Sequence, residues 1–379
     1  MVKCRQFVAP RHLIDKKNTA TKARESDWLL MKYSRVFINS LAYELAPEVV
    51  SSSELEQRLA PLYQKFRIPM GQLAALTGIN ERRWWPKGHK LSDGAIDAAR
   101  KALAETGLSG DDLGALVYTG VCRDQHEPAT ACRIAAALGV GRETAIYDIS
   151  NACLGVLSGI LDIANRIELG QIRAGMVVSC ESARDIVDVT IDSMLAEPTM
   201  QNFAQSLATL TGGSGAVAVI LTDGSFELAT DRNHQLLGAS HLSAPEHHQL
   251  CQWGLQEAGH KLYREFMRTD AVALLKEGVE LAKHTWQHFL AQRDWLVEQV
   301  DKVICHQVGA ANRKQVLSAL CIPEEKEFPT FQLLGNMGTV SLPVSAAMAH
   351  DQGFLRRGDQ VSFLGIGSGL NCMMLGIRW

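Results

Sequence analysis

The chain lacks the features that mark a nucleic-acid binder, a membrane-spanning protein or a disulfide scaffold. Aromatic residues fill only 6% of its 379 positions, too few for a platform on which bases stack. The formal net charge is −3, so no basic excess is available to neutralise phosphates. No apolar run approaches the roughly 18 residues needed to span a bilayer. The nine cysteines (Cys4, Cys122, Cys132, Cys153, Cys180, Cys251, Cys305, Cys321 and Cys372) are scattered singly, with no C-x-x-C pair. That speaks against a disulfide framework and a structural zinc site, and it fits a reducing, cytoplasmic compartment. What is present is an ordinary globular composition, 46% hydrophobic and 21% charged, long enough for a large core.

Residues 1–34 read as an N-terminal tail or extension, basic and weakly patterned, without the apolar stretch of a secretory signal. The body alternates short apolar runs with helical patterns, the signature of an α/β fold. A helix is expected over 93–106, ended by Gly107, then a buried strand over 114–121 and a helix opening at Pro128. A strand over 145–153 runs into a tight corner, followed by an apolar helix over 154–169 and strands at 174–182 and 215–224. The same order recurs: a strand at 302–308, a helix at 310–320, a strand into a corner at 328–338, a helix at 341–355, and strands at 360–369 and 370–379. This is duplication of a half-domain rather than a short repeat. It divides the body into an N-terminal half, 35–224, and a C-terminal half, 225–379. Cys153 and Asn336 fall at matching corners, and His306 ends a strand. Ligands in such folds sit at the carboxyl ends of strands, so the duplication nominates these three as neighbours.

The chemistry of each is consistent with that placement. A thiol at a helix N-terminus meets unpaired amides and the positive end of the helix dipole, both of which favour the thiolate. A histidine at a strand end can act as a neutral hydrogen-bond donor or proton carrier, and a corner asparagine can donate its amide to an oxyanion. Each also has a plainer reading when taken alone: a buried cysteine, a core histidine, a turn-forming asparagine. The glycine-rich turn GIGSG, 365–369, is not a dinucleotide fingerprint, because no helix follows it, but it can bring a backbone N–H such as that of Ser368 close to a substrate. Glu127, ahead of Pro128, is either a solvated carboxylate at a helix start or a general base. His284 and His288 have helical metal spacing but no zincin glutamate. Residues 182–212 are expected to shape the pocket, and Lys261, Arg264 and Arg268 are read as a solvated helix face that could alternatively dock an acidic carrier or coenzyme A phosphates.

Four ordered segments, NACLGVLSGI, ICHQVGAAN, GNMGTVSLP and GIGSGLN, resemble the thiolase superfamily, and more closely its ketoacyl synthase III branch. GINERRWW and SDGAIDAARKAL extend the likeness to essentially residues 35–379. CRDQHEPATA and DISNACLGV resemble a subfamily of that branch that joins two acyl chains head to head in hydrocarbon synthesis. The resemblance implies a five-layer αβαβα thiolase fold working as a homodimer, with coenzyme A thioesters as substrates and no metal or redox cofactor. It implies that Cys153 takes an acyl group and that His306 and Asn336 hold the thioester oxygen of the second substrate. The backbone amides of Cys153 and the GIGSG turn would hold the other oxyanion, and Glu127 would reach into the partner subunit's site to remove an α-proton. The alternative is a synthase that condenses acyl-CoA with a malonyl carrier protein in fatty acid biosynthesis, where decarboxylation makes a base unnecessary. An acyl carrier protein or downstream hydrocarbon-pathway enzymes are the possible further partners.

Overall fold

The computed structural model describes residues 31–259 and 262–379; the expected tail over 1–30, and Lys261, lie outside the described residues. The chain opens with β1 (Met31–Lys32), β2 (Phe37–Leu45) and β3 (Glu48–Ser51). Three short helices follow, α1 (Ser52–Arg58), α2 (Ala60–Phe66) and α3 (Gln72–Thr77), then β4 (Glu81–Trp84). The first layered unit continues as α4 (Leu91–Thr106), β5 (Ala115–Thr119), α5 (Thr130–Leu138), β6 (Ala145–Ile149) and α6 (Gly155–Glu168). It is completed by β7 (Ala174–Glu181), α7 (Arg184–Ala196), α8 (Met200–Ser206) and β8 (Gly215–Thr222). The second unit runs β9 (His234–Ser243), the hairpin β10 (Cys251–Glu257) and β11 (Tyr263–Thr269), α9 (Ala271–Arg293) and β12 (Lys302–Cys305). It closes with α10 (Ala310–Ala319), α11 (Phe331–Leu334), α12 (Ser341–Asp351), β13 (Gln360–Gly367) and β14 (Asn371–Arg378).

Strands β2, β8, β7, β5 and β6 lie side by side, and so do β9, β14, β13 and β12; the two sets join where Phe37 and Ile38 pair with Gln235 and His234. Alternation along each strand sends side chains to two different cores. Val177 of β7 points into the central core, whereas Met176 and Val178 point outward. That central core is filled by α6 and α12. Ile160 and Ile163 of α6 and Val344 and Ala347 of α12 belong to one cluster with Val219 from one set of strands and Phe363 and Leu375 from the other. A helix that is apolar all round belongs between two sheets; SLPVSAAMAHD is nearly of that kind, whereas GVLSGILDIANRIE is apolar over most of its surface and keeps Asp162, Asn165 and Arg166 on one partly exposed side. The outer faces are covered by α4 and α5 on one side and by α9 and α10 on the other. The layers are therefore helix, sheet, helix, sheet, helix, the thiolase arrangement.

Three local expectations need correction. Met31 and Lys32 are part of the sheet, paired with Ala239 and Gly238, and are not tail. The helix expected from Pro128 begins at Thr130, because the Asp148 carboxylate accepts the Thr130 and Ala131 amides at 2.9 and 3.0 Å. The strand expected over 328–338 does not form; the segment holds α11 instead. Pro329 has no amide to give a ladder, and the next two amides, of Thr330 and Phe331, are taken by the Gln307 side chain at 3.0 and 3.3 Å.

The C-terminus is tied into the second sheet by stacked rings. His234 lies on Trp379 with centroids 3.8 Å apart, and Trp379 Nε1 donates to His350 Nδ1 at 2.9 Å. Burial pushes His234 down to about 3, helped by His350 and Arg232. The unfolded chain would bind this proton near 6.5, so stability is full above that pH and falls as pH drops towards 3. The thermal midpoint should therefore fall on acidification from pH 7 to 5. His234→Phe, which keeps a ring on Trp379, should remove about 2 kcal/mol of that loss; parallel pH curves for the two proteins would refute the assignment.

Candidate active site

Cys153 sits where β6 turns into α6. The chain leaves the strand through Asn151, passes Ala152 at φ +44°, makes a 3₁₀ turn over Ala152–Leu154 and enters the helix at Gly155. The matching corner of the second unit repeats this device, with a 3₁₀ turn over Gly338–Val340 leading into α12. The two corners touch: the Val156 amide donates to Thr339 Oγ1 at 2.7 Å. The GIGSG turn packs on the first corner. A Cβ at Gly367 would lie 3.2 Å from Leu154 Cγ and 3.4 Å from the Cys153 nitrogen, so the turn lies in close contact with this corner. Asn371, beyond the turn, donates to Asn151 Oδ1 at 3.3 Å and fixes the pairing.

His306 follows β12. Its amide donates to Leu364 O of β13 at 3.0 Å, and its buried ring has no partner at Nδ1 among the described residues. Burial holds its pKa down to about 4, so the imidazole is neutral near pH 7. Asn336 is fixed at three atoms. Its amide donates to Thr211 O at 2.9 Å, its carbonyl accepts from Gly213 at 2.8 Å, and its Oδ1 accepts from Gly338 at 3.0 Å. With Oδ1 occupied, the side chain has its NH₂ left to offer a ligand. The fit is close enough that a Cβ on Gly213 would stand 2.0 Å from Leu334 O.

Cys153, His306, Asn336 and Ser368 all line one cavity of about 790 Å³. Residues 182–212 contribute Ile186 and Leu207 to its wall, as the sequence led us to expect, but most of one side comes from the β10–β11 hairpin through Trp253, Phe266 and Met267. That hairpin corrects the reading of Arg264 and Arg268 as a helix face: both stand on β11, where Arg264 donates to Ser193 and Arg268 to Gln256. Glu127 is not among the lining residues and is exposed on its own chain. The thiol also departs from expectation. Burial pushes Cys153 up to about 12, with Cys251 and Glu181 adding to it against one backbone hydrogen bond.

Glu181 went unread in the sequence. It ends the fully buried β7, is 4% exposed, lines the cavity, and accepts the Val121 and Cys122 amides at 3.0 and 3.1 Å. Burial raises its pKa against those hydrogen bonds. The available signal was a carboxylate closing an otherwise apolar strand, a position that demands a partner. It anchors the root of the segment that leads out to Glu127.

The arrangement combines an enclosed thiol, a neutral imidazole and a directed amide in an apolar chamber, parts suited to acyl transfer through a covalent thioester. Comparison with known proteins agrees. Residues 290–379 match the family described as 3-oxoacyl-[acyl-carrier-protein] synthase III C terminal. The chain is 89% identical over 349 residues to an acyl-CoA:acyl-CoA alkyltransferase of Shewanella oneidensis, covering 92% of this chain and all of that protein. It is 34% identical over 350 residues to the acyl-CoA:acyl-CoA alkyltransferase of Xanthomonas campestris pv. campestris, again covering 92% of this chain and all of the relative. Among solved structures, a cysteine-to-serine variant of Xanthomonas campestris OleA with bound lauric acid and lauroyl-CoA superposes with a TM-score of 0.85 at 32% identity, covering 92% of this chain and all of the other. The chain therefore belongs to the acyl-CoA:acyl-CoA alkyltransferases, the OleA enzymes, a thiolase-fold family of acyl-transferring condensing enzymes related to ketoacyl synthase III.

Proposed function

We propose that the chain joins two fatty acyl-CoA molecules head to head in a non-decarboxylative Claisen condensation. The observation that carries this reading is the convergence of Cys153, His306 and Asn336 on one apolar cavity. In the first half-reaction the Cys153 sulfur attacks the thioester carbonyl of one acyl-CoA. The new C–S bond forms as the coenzyme A sulfur leaves, and the thiol proton ends on the released coenzyme A. The tetrahedral oxyanion is held by the backbone N–H groups of Cys153 and Ser368.

In the second half-reaction a second acyl-CoA places its thioester oxygen between His306 and Asn336. Removal of its α-proton gives an enolate whose charge those two donors stabilise. A neutral imidazole suits this task, because it donates without protonating the enolate outright. The enolate carbon attacks the acyl-Cys153 carbonyl, the Cys153 sulfur leaves, and the product is a 2-alkyl-3-oxoacyl-CoA. We assign the α-proton to Glu127 of the partner protomer in a homodimer. Its exposure on its own chain and its absence from its own cavity wall support action across an interface. The cysteines stand singly along the sequence with no C-x-x-C pair, which supports the reducing, cytoplasmic setting. No helix among the described residues is long and apolar enough to cross a membrane.

Product mass spectrometry tests the reading. Lauroyl-CoA alone should yield the condensed β-keto acid, or the ketone that forms when it loses carbon dioxide. Product that appears only when malonyl carrier protein is added would instead make this a decarboxylating synthase of the ketoacyl synthase III kind.

A further inference from the structure

His306 is held in an unusual way. Its buried ring has no hydrogen-bond partner at Nδ1 among the described residues, so packing and the backbone on either side of it set its position. On one side the His306 amide is fixed to Leu364 O. On the other side is Gln307, a buried residue with its side-chain amide fully engaged. Its Nε2 donates to Cys305 O and to Glu327 Oε1, both at 2.9 Å, and its Oε1 accepts the Thr330 and Phe331 amides. Those two amides begin α11, the helix that ends at Gly335 and delivers Asn336.

The far end of the network closes back on the histidine. Glu327 has no exposed side-chain surface, and its second oxygen accepts from Arg313 Nε at 2.5 Å. Arg313 stands on α10, the helix that follows directly after the His306–Gly309 segment, and is held in turn by the Glu324 carboxylate at 2.6 Å. A second chain of bonds reaches the Asn336 corner: Thr330 Oγ1 meets Ser345 Oγ at 2.7 Å, Ser345 Oγ donates to Ser341 O, and Ser341 Oγ accepts the Met337 amide at 2.7 Å. A buried ion pair is weak evidence for stability, since apolar side chains of similar volume often serve as well. Its value here lies in geometry, because two donors contributed by different segments must converge on one oxygen.

We propose that Gln307, Glu327 and Arg313 are positioning residues that fix the separation of His306 and Asn336, and so build the site that activates the second acyl thioester. This rests on the roles proposed above for His306 and Asn336. The network acts chiefly on the second half-reaction, because the GIGSG turn is tied to the Cys153 corner by a bond of its own, from Asn371 to Asn151, while the link between the two corners is the Val156–Thr339 bond, which none of the three residues makes.

The test compares wild type with Gln307→Leu, Glu327→Gln and the double variant Arg313→Met/Glu327→Met. Three quantities are followed: acylation of Cys153 by intact mass, condensation turnover, and thermal midpoint. Acylation should stay within about twofold of wild type while condensation falls about 10- to 100-fold, the cost of misplacing reacting groups by an ångström or less. The double variant, with no buried charge left unpaired and the freed Glu324 carboxylate exposed to solvent, should keep its thermal midpoint and still lose condensation. Unchanged condensation in all three, or acylation and condensation falling together with stability, overturns the proposal. If wild type condenses only with a malonyl thioester, the two-acyl reading fails and the same comparison still tests the network. If wild type condenses neither, the site reading and this proposal fall together.

Discussion

Cys153→Ala should remove the acyl-enzyme and stop turnover. Incubation of wild type with lauroyl-CoA should add one lauroyl mass to the intact protein; the variant should show no such shift, and condensation should drop by at least about a thousandfold. The size of the effect follows from the site. The cavity wall is largely apolar, with Ile186, Trp253 and Phe266 among the residues that line it together with Cys153, and water there is a poor substitute for a fixed nucleophile. Loss of a single sulfur beside the Gly367 turn leaves the surrounding corner bonds, Val156 to Thr339 and Asn371 to Asn151, in place. Since burial holds the thiol up to about 12, acylation should also quicken with rising pH across the neutral range, until a step other than deprotonation limits it. Cys251 is a second thiol on the same wall. A lauroyl adduct that survives in Cys153→Ala and maps to Cys251 would move the nucleophile there.

Glu127→Ala should separate the half-reactions. Acylation of Cys153 should persist, whereas condensation of two acyl-CoA molecules should fall at least about a hundredfold, the usual scale for a lost general base. The placement of Glu127 makes a sharper experiment possible. If it serves the partner's cavity, dimers mixed from Cys153→Ala and Glu127→Ala chains contain one complete site, with Cys153 from one chain and Glu127 from the other. Random mixing of two inactive proteins should then restore about a quarter of wild-type activity. If Glu127 served its own chain, every site in the mixture would lack one residue and no activity would return. Recovery thus reports the dimer and the cross-interface role together, and unchanged activity in Glu127→Ala alone removes the residue from the mechanism.

Much of this was legible because the relevant signals are local. Alternating or continuous apolar runs announced β5, β7, β8 and the β13–β14 pair, and strongly apolar helical sequences announced α6 and α12. The duplication placed Cys153 and Asn336 at equivalent corners. The failures share a cause. At Thr330 and Phe331 the backbone could join a strand or bond elsewhere, and a side chain from Gln307, distant in sequence, decided it. At Pro128 a local preference gave way to Asp148, which caps the helix from the neighbouring strand. At Cys153 the expectation of a favoured thiolate took no account of burial, which is invisible in a linear sequence and raises the thiol.

The division between what the sequence determined and what the tertiary structure decided follows from the range of the forces involved. Periodicity, glycine corners and residue chemistry act over a few positions, so the sequence by itself determined the α/β class and the repeated half, and nominated a thiol, an imidazole and an amide; the five-layer arrangement came from the resemblance. The chamber wall supplied by the β10–β11 hairpin depends on contacts between segments distant in sequence. So do the anchoring of the 121–122 amides by Glu181 and the bracing of His306 through Gln307 and Glu327. Desolvation and buried hydrogen bonds exist only once those segments have packed, and for that reason the folded chain alone decided the protonation of the thiol and the positions of the groups around it.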